Sequence, residues 1–177
     1  MMLLVFSGLP GTGKSALTEA VGRELGIPVF AKDWLEATLL RCELAPTSQN
    51  KPLGFAGYQL LTILAERQLM LGQSAILDSV ASTESIRSSW KQLAAEYDAK
   101  WCVIECICSD EGVHRARMNV RQRNIPGWHE LDWSEVERVK AYYLPSEEDR
   151  LILNAVEPLE GNLKRIFEYL HNKGDPT

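Results

Sequence analysis

Gly8-Leu9-Pro10-Gly11-Thr12-Gly13-Lys14-Ser15 fills every fixed position of the pattern G-x-x-x-x-G-K-[ST]. Glycines in such a run let backbone amides turn inward around phosphate oxygens, where bulkier residues are obstructed by sterics or by forbidden dihedrals. The lysine reaches the outer phosphates, the serine hydroxyl ligates magnesium, and the start of a helix adds its partial positive charge. The motif predicts a site for a nucleoside triphosphate, ATP with Mg2+. Its nucleotide contacts would be Gly8, Gly11, Thr12, Gly13, Lys14 and Ser15, with Lys14 acting on the transferring phosphate and Ser15 on the metal.

The flanks support that reading. Met2–Ser7 is an almost wholly apolar run ending at a glycine, the pattern of a parallel strand covered on both faces and expected at the centre of its sheet. After the loop, Leu17, Ala20, Val21 and Leu25 fall on one helical face, and Gly26 stands where a helix is C-capped. Further along, 27–30 reads as a second strand, 33–40 and 57–71 as helices, and 46–54 as a loop between them. A third strand, 74–77, closes at Asp78 and precedes a helix with Ile86, Trp90, Leu93, Ala94 and Tyr97 on one face. A fourth strand spans 101–108, and a basic helix 111–123 is broken by Ile125-Pro126-Gly127. Helix resumes over 133–143, a last strand covers 151–153, and Leu163, Ile166, Phe167 and Leu170 mark a closing helix. Strands alternating with helices predict an α/β fold: a five-stranded parallel sheet with helices on both faces.

Bulk properties narrow the classes. The 177 residues suit one domain, 1–177, and 24% charged with 45% hydrophobic residues is an ordinary globular balance. A formal net charge of -5 gives no field to hold an extended nucleic acid. No stretch approaches membrane-spanning length, and the apolar start at 1–6 is too short and lacks the basic lead of a signal segment. Four cysteines in a chain this size do not read as a secreted framework, so a reducing cytoplasm is expected. Cys102, Cys106 and Cys108 share strand parity but lie too far apart in a row to wrap one zinc, and are expected to be buried thiols. Asn172-Lys173-Gly174-Asp175 matches a guanine-reading signature, yet no strand precedes it, and it reads as a polar tail.

Five features in order carry a resemblance: the loop 8–15; Asp33 after the second strand; Ala75-Ile76-Leu77-Asp78; Arg117-Met118-Asn119-Val120-Arg121; and Pro158-Leu159-Glu160-Gly161-Asn162-Leu163 before the last helix. Over nearly its whole length the chain resembles small P-loop kinases of the polynucleotide kinase, zeta toxin, chloramphenicol phosphotransferase and gluconate kinase type, AAA-type ATP-binding proteins of the P-loop NTPase superfamily. The resemblance implies a three-layer sandwich with a small helical lid near 117–135. It implies transfer of the γ-phosphoryl of ATP to a hydroxyl on a small molecule or a nucleic-acid end. Asp33 would serve as general base, Asp78 would hold magnesium or touch the acceptor, and two arginines of a shared helix face would reach the nucleotide, Arg117 on the adenine side and Arg121 on the phosphate. Two alternatives stand beside this. Asp33-Trp34-Leu35-Glu36 also reads as a helix N-cap with a glutamate three residues on. A nucleotide-binding regulator acting through lid closure on a protein partner would need no working Asp33.

Overall fold

A computed structural model describes residues 1–44 and 50–173, with side chains from residue 53 onward in the second stretch. Five strands, β1 (Met2–Ser7), β2 (Val29–Ala31), β3 (Ala75–Asp78), β4 (Lys100–Ile107) and β5 (Leu151–Asn154), form one parallel sheet in the order β2-β3-β1-β4-β5. Seven helices accompany it among the described residues: α1 (Lys14–Leu25), α2 (Lys32–Arg41), α3 (Asn50–Met70), α4 (Glu84–Glu96), α5 (Glu111–Val120), α6 (Trp133–Lys140) and α7 (Leu159–Asn172). This is the expected α/β three-layer sandwich, with β1 in the middle of the sheet.

The two-residue period of β1 explains the layers. Leu4 and Phe6 point to one face, where Leu17 and Val21 of α1 and Ile166 and Leu170 of α7 close a core. Leu3 and Val5 point to the other, against Leu61 and Leu69 of α3 and Trp90 and Leu93 of α4. Every residue of β1 is buried, as its unbroken apolar run requires. Cys102 and Cys106 belong to the first of these cores, and burial pushes their thiols up to about 11 and about 12, so both stay protonated and inert. Cys108 lies just past the end of β4 and is half-buried.

Four elements differ from expectation, the simplest being α6, which ends at Lys140 and not at 143. Residues 50–54, expected in a loop, belong to α3, while 46–49 lie outside the described residues. Pro52 is the third residue of that helix, within the first turn, where no intrahelical partner awaits a backbone N–H. The basic helix ends at Val120, not 123: Arg121 is its C-cap with an extended backbone, φ -66° and ψ 130°. Arg117 and Arg121 therefore do not share a helix face. Nor does Asp33 cap α2: Ala31 is the N-cap residue, and Asp33 sits inside the first turn without a capping hydrogen bond. The tail signature lies partly in α7, which ends at Asn172, and partly outside the described residues. No described helix is long and apolar enough to cross a membrane.

Candidate active site

Strand register assembles the site. Phe6 and Ala31 both pair with Asp78, from the two sides of β3. The glycine loop starts two residues after Phe6 and Asp33 lies two residues after Ala31, so loop, Asp33 and Asp78 emerge side by side at the carboxyl ends of neighbouring strands. In open parallel sheets this is where ligands bind.

The loop's geometry requires its glycines at two positions in particular. Gly8 has φ 128°, and a β-carbon there would collide with the Cys106 carbonyl. Gly13, with φ 83°, is the left-handed N-cap of α1, so the helix begins at Lys14 with its first amides facing the loop. Thr12 is buried; its hydroxyl donates to Leu9 O at 2.9 Å and braces the turn. Lys14 curls back, its ammonium donating to Gly8 O and Leu9 O at 2.7 Å each. Burial lowers the Lys14 pKa and Asp78 nearby opposes that shift.

A cavity of about 450 Å³ opens beside the loop. Gly11, Gly13, Lys14 and Ser15 line it from the loop, and Asp33 and Asp78 from the strand ends. Arg117 and Arg121 also line it, although only Arg117 is helical. Gly8 and Thr12 do not: they line a cavity of about 300 Å³ on the other side of the loop, bounded by Glu105 and Tyr143. Burial raises the Asp78 carboxyl, while the Lys14 charge and a hydrogen bond from the Ser15 hydroxyl hold it down. Ser15 and Asp78 thus present hard oxygen donors together, which fits Mg2+, an ion that takes few protein oxygens and fills its octahedron with water and phosphate. No cluster of three or more His, Cys, Asp or Glu side chains suited to a metal exists among the described residues.

Two residues that the sequence did not assign to the site, Arg123 and Ser79, belong to this cleft. Arg123 pairs with the Asp33 carboxylate in a short ion pair, with only 12% of its side chain exposed, and also lines the cavity. Ninety positions separate them, and the break after Val120 that frees Arg123 to reach α2 left no turn signal before Pro126. Arg115 of α5 faces elsewhere: it pairs with Glu111 at 3.0 Å and stacks 4.2 Å over Trp133. Ser79 is buried, lines the cleft, and its hydroxyl has no hydrogen-bond partner among the described residues. Its place after a strand-end aspartate was the available signal. Arg121 is half-buried and makes no ion pair among the described residues; burial first and Arg123 second lower its pKa.

Two further cavities adjoin the cleft. One, of about 250 Å³, shares Gly13, Ala16 and Arg117 with it and is otherwise bounded by apolar Leu17, Leu153, Ala155 and Leu159 together with polar Thr12, Glu157 and Asn162. The other, about 640 Å³, shares Pro10, Asp33, Val80 and Leu131, so Asp33 is the one ionisable side chain common to both.

An AAA domain family model matches residues 3–145, which takes in the loop, Asp33, Asp78 and the α5–α6 segment. A UPF0200 protein from Aeropyrum pernix is 33% identical over 104 residues, 51% of this chain and 54% of that protein, so the chain spans about half the length of the curated relative it matches. Among solved structures, a Chloroflexus aurantiacus protein assigned as a kinase superposes with a TM-score of 0.76 at 20% identity, covering 98% of both chains. A gluconokinase from Sinorhizobium meliloti gives 0.65 at 19% identity, again over 98% of both. These structural likenesses establish the fold and agree with the small P-loop kinases that the motifs resemble. With its family model matched over most of the chain and its phosphate loop set at the switch point of a parallel sheet, the protein belongs to the AAA domain family and carries a nucleotide-binding site on a P-loop kinase fold.

Proposed function

We propose that this protein transfers the γ-phosphoryl group of ATP to a hydroxyl of an acceptor molecule. The observation that carries this reading is the position of Asp33 where the cleft beside the glycine loop meets the cavity of about 640 Å³. A carboxylate there can accept the proton of a hydroxyl lodged on one side while the oxygen it leaves behind attacks the phosphorus presented on the other. Lys14 and Arg121 would neutralise the phosphates, and the left-handed start of α1 would aim its amides at them. Arg117, shared with the cavity beside α7, would face the base. Mg2+, where Ser15 and Asp78 would hold it, supplies charge neutralisation to the phosphate oxygens.

Asp33 rests in an ion pair with Arg123, which itself borders the phosphate cleft. A triphosphate offers that guanidinium a more highly charged partner, so nucleotide entry would release the carboxylate for its role as base.

The test is a screen of hydroxyl-bearing metabolites and nucleic-acid ends for ADP release above the ATP-only background, followed by Asp33→Asn. The variant is expected to keep its ATP affinity and lose transfer by about 10²–10⁴-fold, the usual worth of a general base. Unchanged turnover in Asp33→Asn, or a screen in which no acceptor exceeds background, points instead to a nucleotide-binding regulator.

A further inference from the structure

On the reading that Asp33 meets an acceptor hydroxyl, the lining of the 640 Å³ cavity points to the acceptor's class. We infer that it is a neutral or cationic, ring-bearing hydroxyl compound, and not one carrying a carboxylate, sulfate or phosphate group.

Charge is the first argument. The lysine and arginine that line this cavity among the described residues are Lys32 and Arg138. Each is already committed to a carboxylate on its own helix: Lys32 to Glu36, and Arg138 through Nε to Glu135 Oε2 at 2.9 Å with a second, shorter bond alongside. Lys32 is further engaged over the Tyr58 ring, 4.7 Å from its centroid. With Asp33 the lining carries three carboxylates against two such cations. Arg123 offsets Asp33 but borders the phosphate cleft, where the triphosphate would claim it. An acidic acceptor would have to break an ion pair to gain a lysine or arginine partner, whereas a neutral hydroxyl or an ammonium finds acceptor oxygens in place.

The second argument is construction. Glu36 is 4% exposed, unusual for a carboxylate, and its side chain fits a notch in α3 at Gly57, where a β-carbon would stand 2.8 Å from Glu36 Oε1. It is a built acceptor at the cavity and not a solvated surface group. Tyr58, Tyr142 and Trp128 add ring faces to the lining. The buried indole N–H of Trp128 has no hydrogen-bond partner among the described residues, so it remains available to a hydroxyl or ring oxygen. Aromatic faces beside carboxylates suit sugar-like, aryl or amine-bearing molecules, and the volume suits a small metabolite, not a polymer.

Matched neutral and acidic hydroxyl compounds test this: phenyl β-D-glucoside against phenyl β-D-glucuronide, adenosine against adenosine 5′-phosphate, and panthenol against pantothenate. ADP release is measured for each with ATP and Mg2+, and binding by calorimetry with a non-hydrolysable ATP analogue. The neutral partner is expected to exceed its acidic twin by about tenfold in at least one pair, with no pair reversed. Glu135→Gln, which leaves Arg138 without its carboxylate, should shrink that ratio by about tenfold, a change that mere loosening of α6 would not produce. Acidic twins that turn over as well or better overturn the inference and leave phosphoryl transfer standing. Neutral twins that bind preferentially but never release ADP keep the cavity's charge preference and overturn the transfer reading, and with it the assignment of the bound compound as acceptor. Absence of binding by any pair, or a Glu135→Gln ratio that does not move, overturns it.

Discussion

Ser79 puts the residue-scale logic to a test that separates ligand contact from folding. A buried hydroxyl without a partner costs free energy on folding, about 1–3 kcal/mol for an unsatisfied polar group. Ser79 lines the cleft beside the glycine loop, next to Asp78, and its Oγ is unsatisfied among the described residues. Ser79→Ala is therefore expected to leave the urea midpoint unchanged or raised while phosphoryl transfer falls about tenfold, the loss of one hydrogen bond to a charged group. A variant that loses stability and keeps its rate would show that the hydroxyl serves the fold. Ser79 and Arg123 also mark where sequence reading ends. The loop residues were legible because their role is local: backbone dihedrals and amide direction over eight consecutive positions. Asp33 and Asp78 were legible as strand-end carboxylates. Whether Arg115, Arg121 or Arg123 meets Asp33 depends on how a segment 90 positions away folds back, and spacing along a helix could not decide it because the helix stops at Val120.

At the scale of elements, α5 is tied to the phosphate loop by a polar contact from His114, while Met118 of the same helix packs against Gly11. His114 is buried, its Nε2 lies 2.7 Å from Pro10 O, and its ring meets Trp133 edge-on at 5.1 Å. Burial lowers its pKa below 6.5, Lys14 and Arg117 push the same way, and the Pro10 carbonyl and Glu111 resist. In the window just below 6.5 the folded chain thus binds fewer protons than the unfolded one, so stability falls as pH drops through it. Thermal melts from pH 7.5 to 5 are expected to show that decline, and His114→Gln, which keeps a donor for Pro10 but cannot titrate, should flatten it. A second element-scale expectation concerns α3. Gly57→Ala gains about 1 kcal/mol of helix propensity, yet its β-carbon would press on the Glu36 carboxylate, and overpacking costs about 1–3 kcal/mol. The urea midpoint should fall slightly and the acceptor KM should rise. The same helix shows why its first turn escaped the sequence reading: Pro52 and Gly54 signal a loop locally, while Pro52 falls where its missing N–H costs nothing and Gly57 makes room for a residue of another helix.

For the whole molecule, the consequence of this design is linkage between nucleotide and fold. The phosphate loop joins β1 to α1, and both belong to the core shared with α7. Lys14 occupies the middle of that junction, buried, and donates to two loop carbonyls, Gly8 O and Leu9 O, the second of which it shares with the Thr12 hydroxyl. A ligand that binds the folded chain alone stabilises it by RT ln(1 + [L]/Kd), about 2.7 kcal/mol at a hundred times Kd. For a chain of this size each kcal/mol moves Tm by about 2–4 °C, so ATP with Mg2+ at that ratio should raise Tm by about 5–11 °C. Differential scanning calorimetry across variants then sorts the roles. Asp33→Asn should keep the full rise, since its carboxylate is assigned to the proton and not to affinity. Lys14→Ala should abolish it, because the ammonium is the charge proposed to neutralise the outer phosphates. A rise that survives in Lys14→Ala would mean that nucleotide stabilises some other part of the molecule, and the cleft between β1 and α1 would then not be the site.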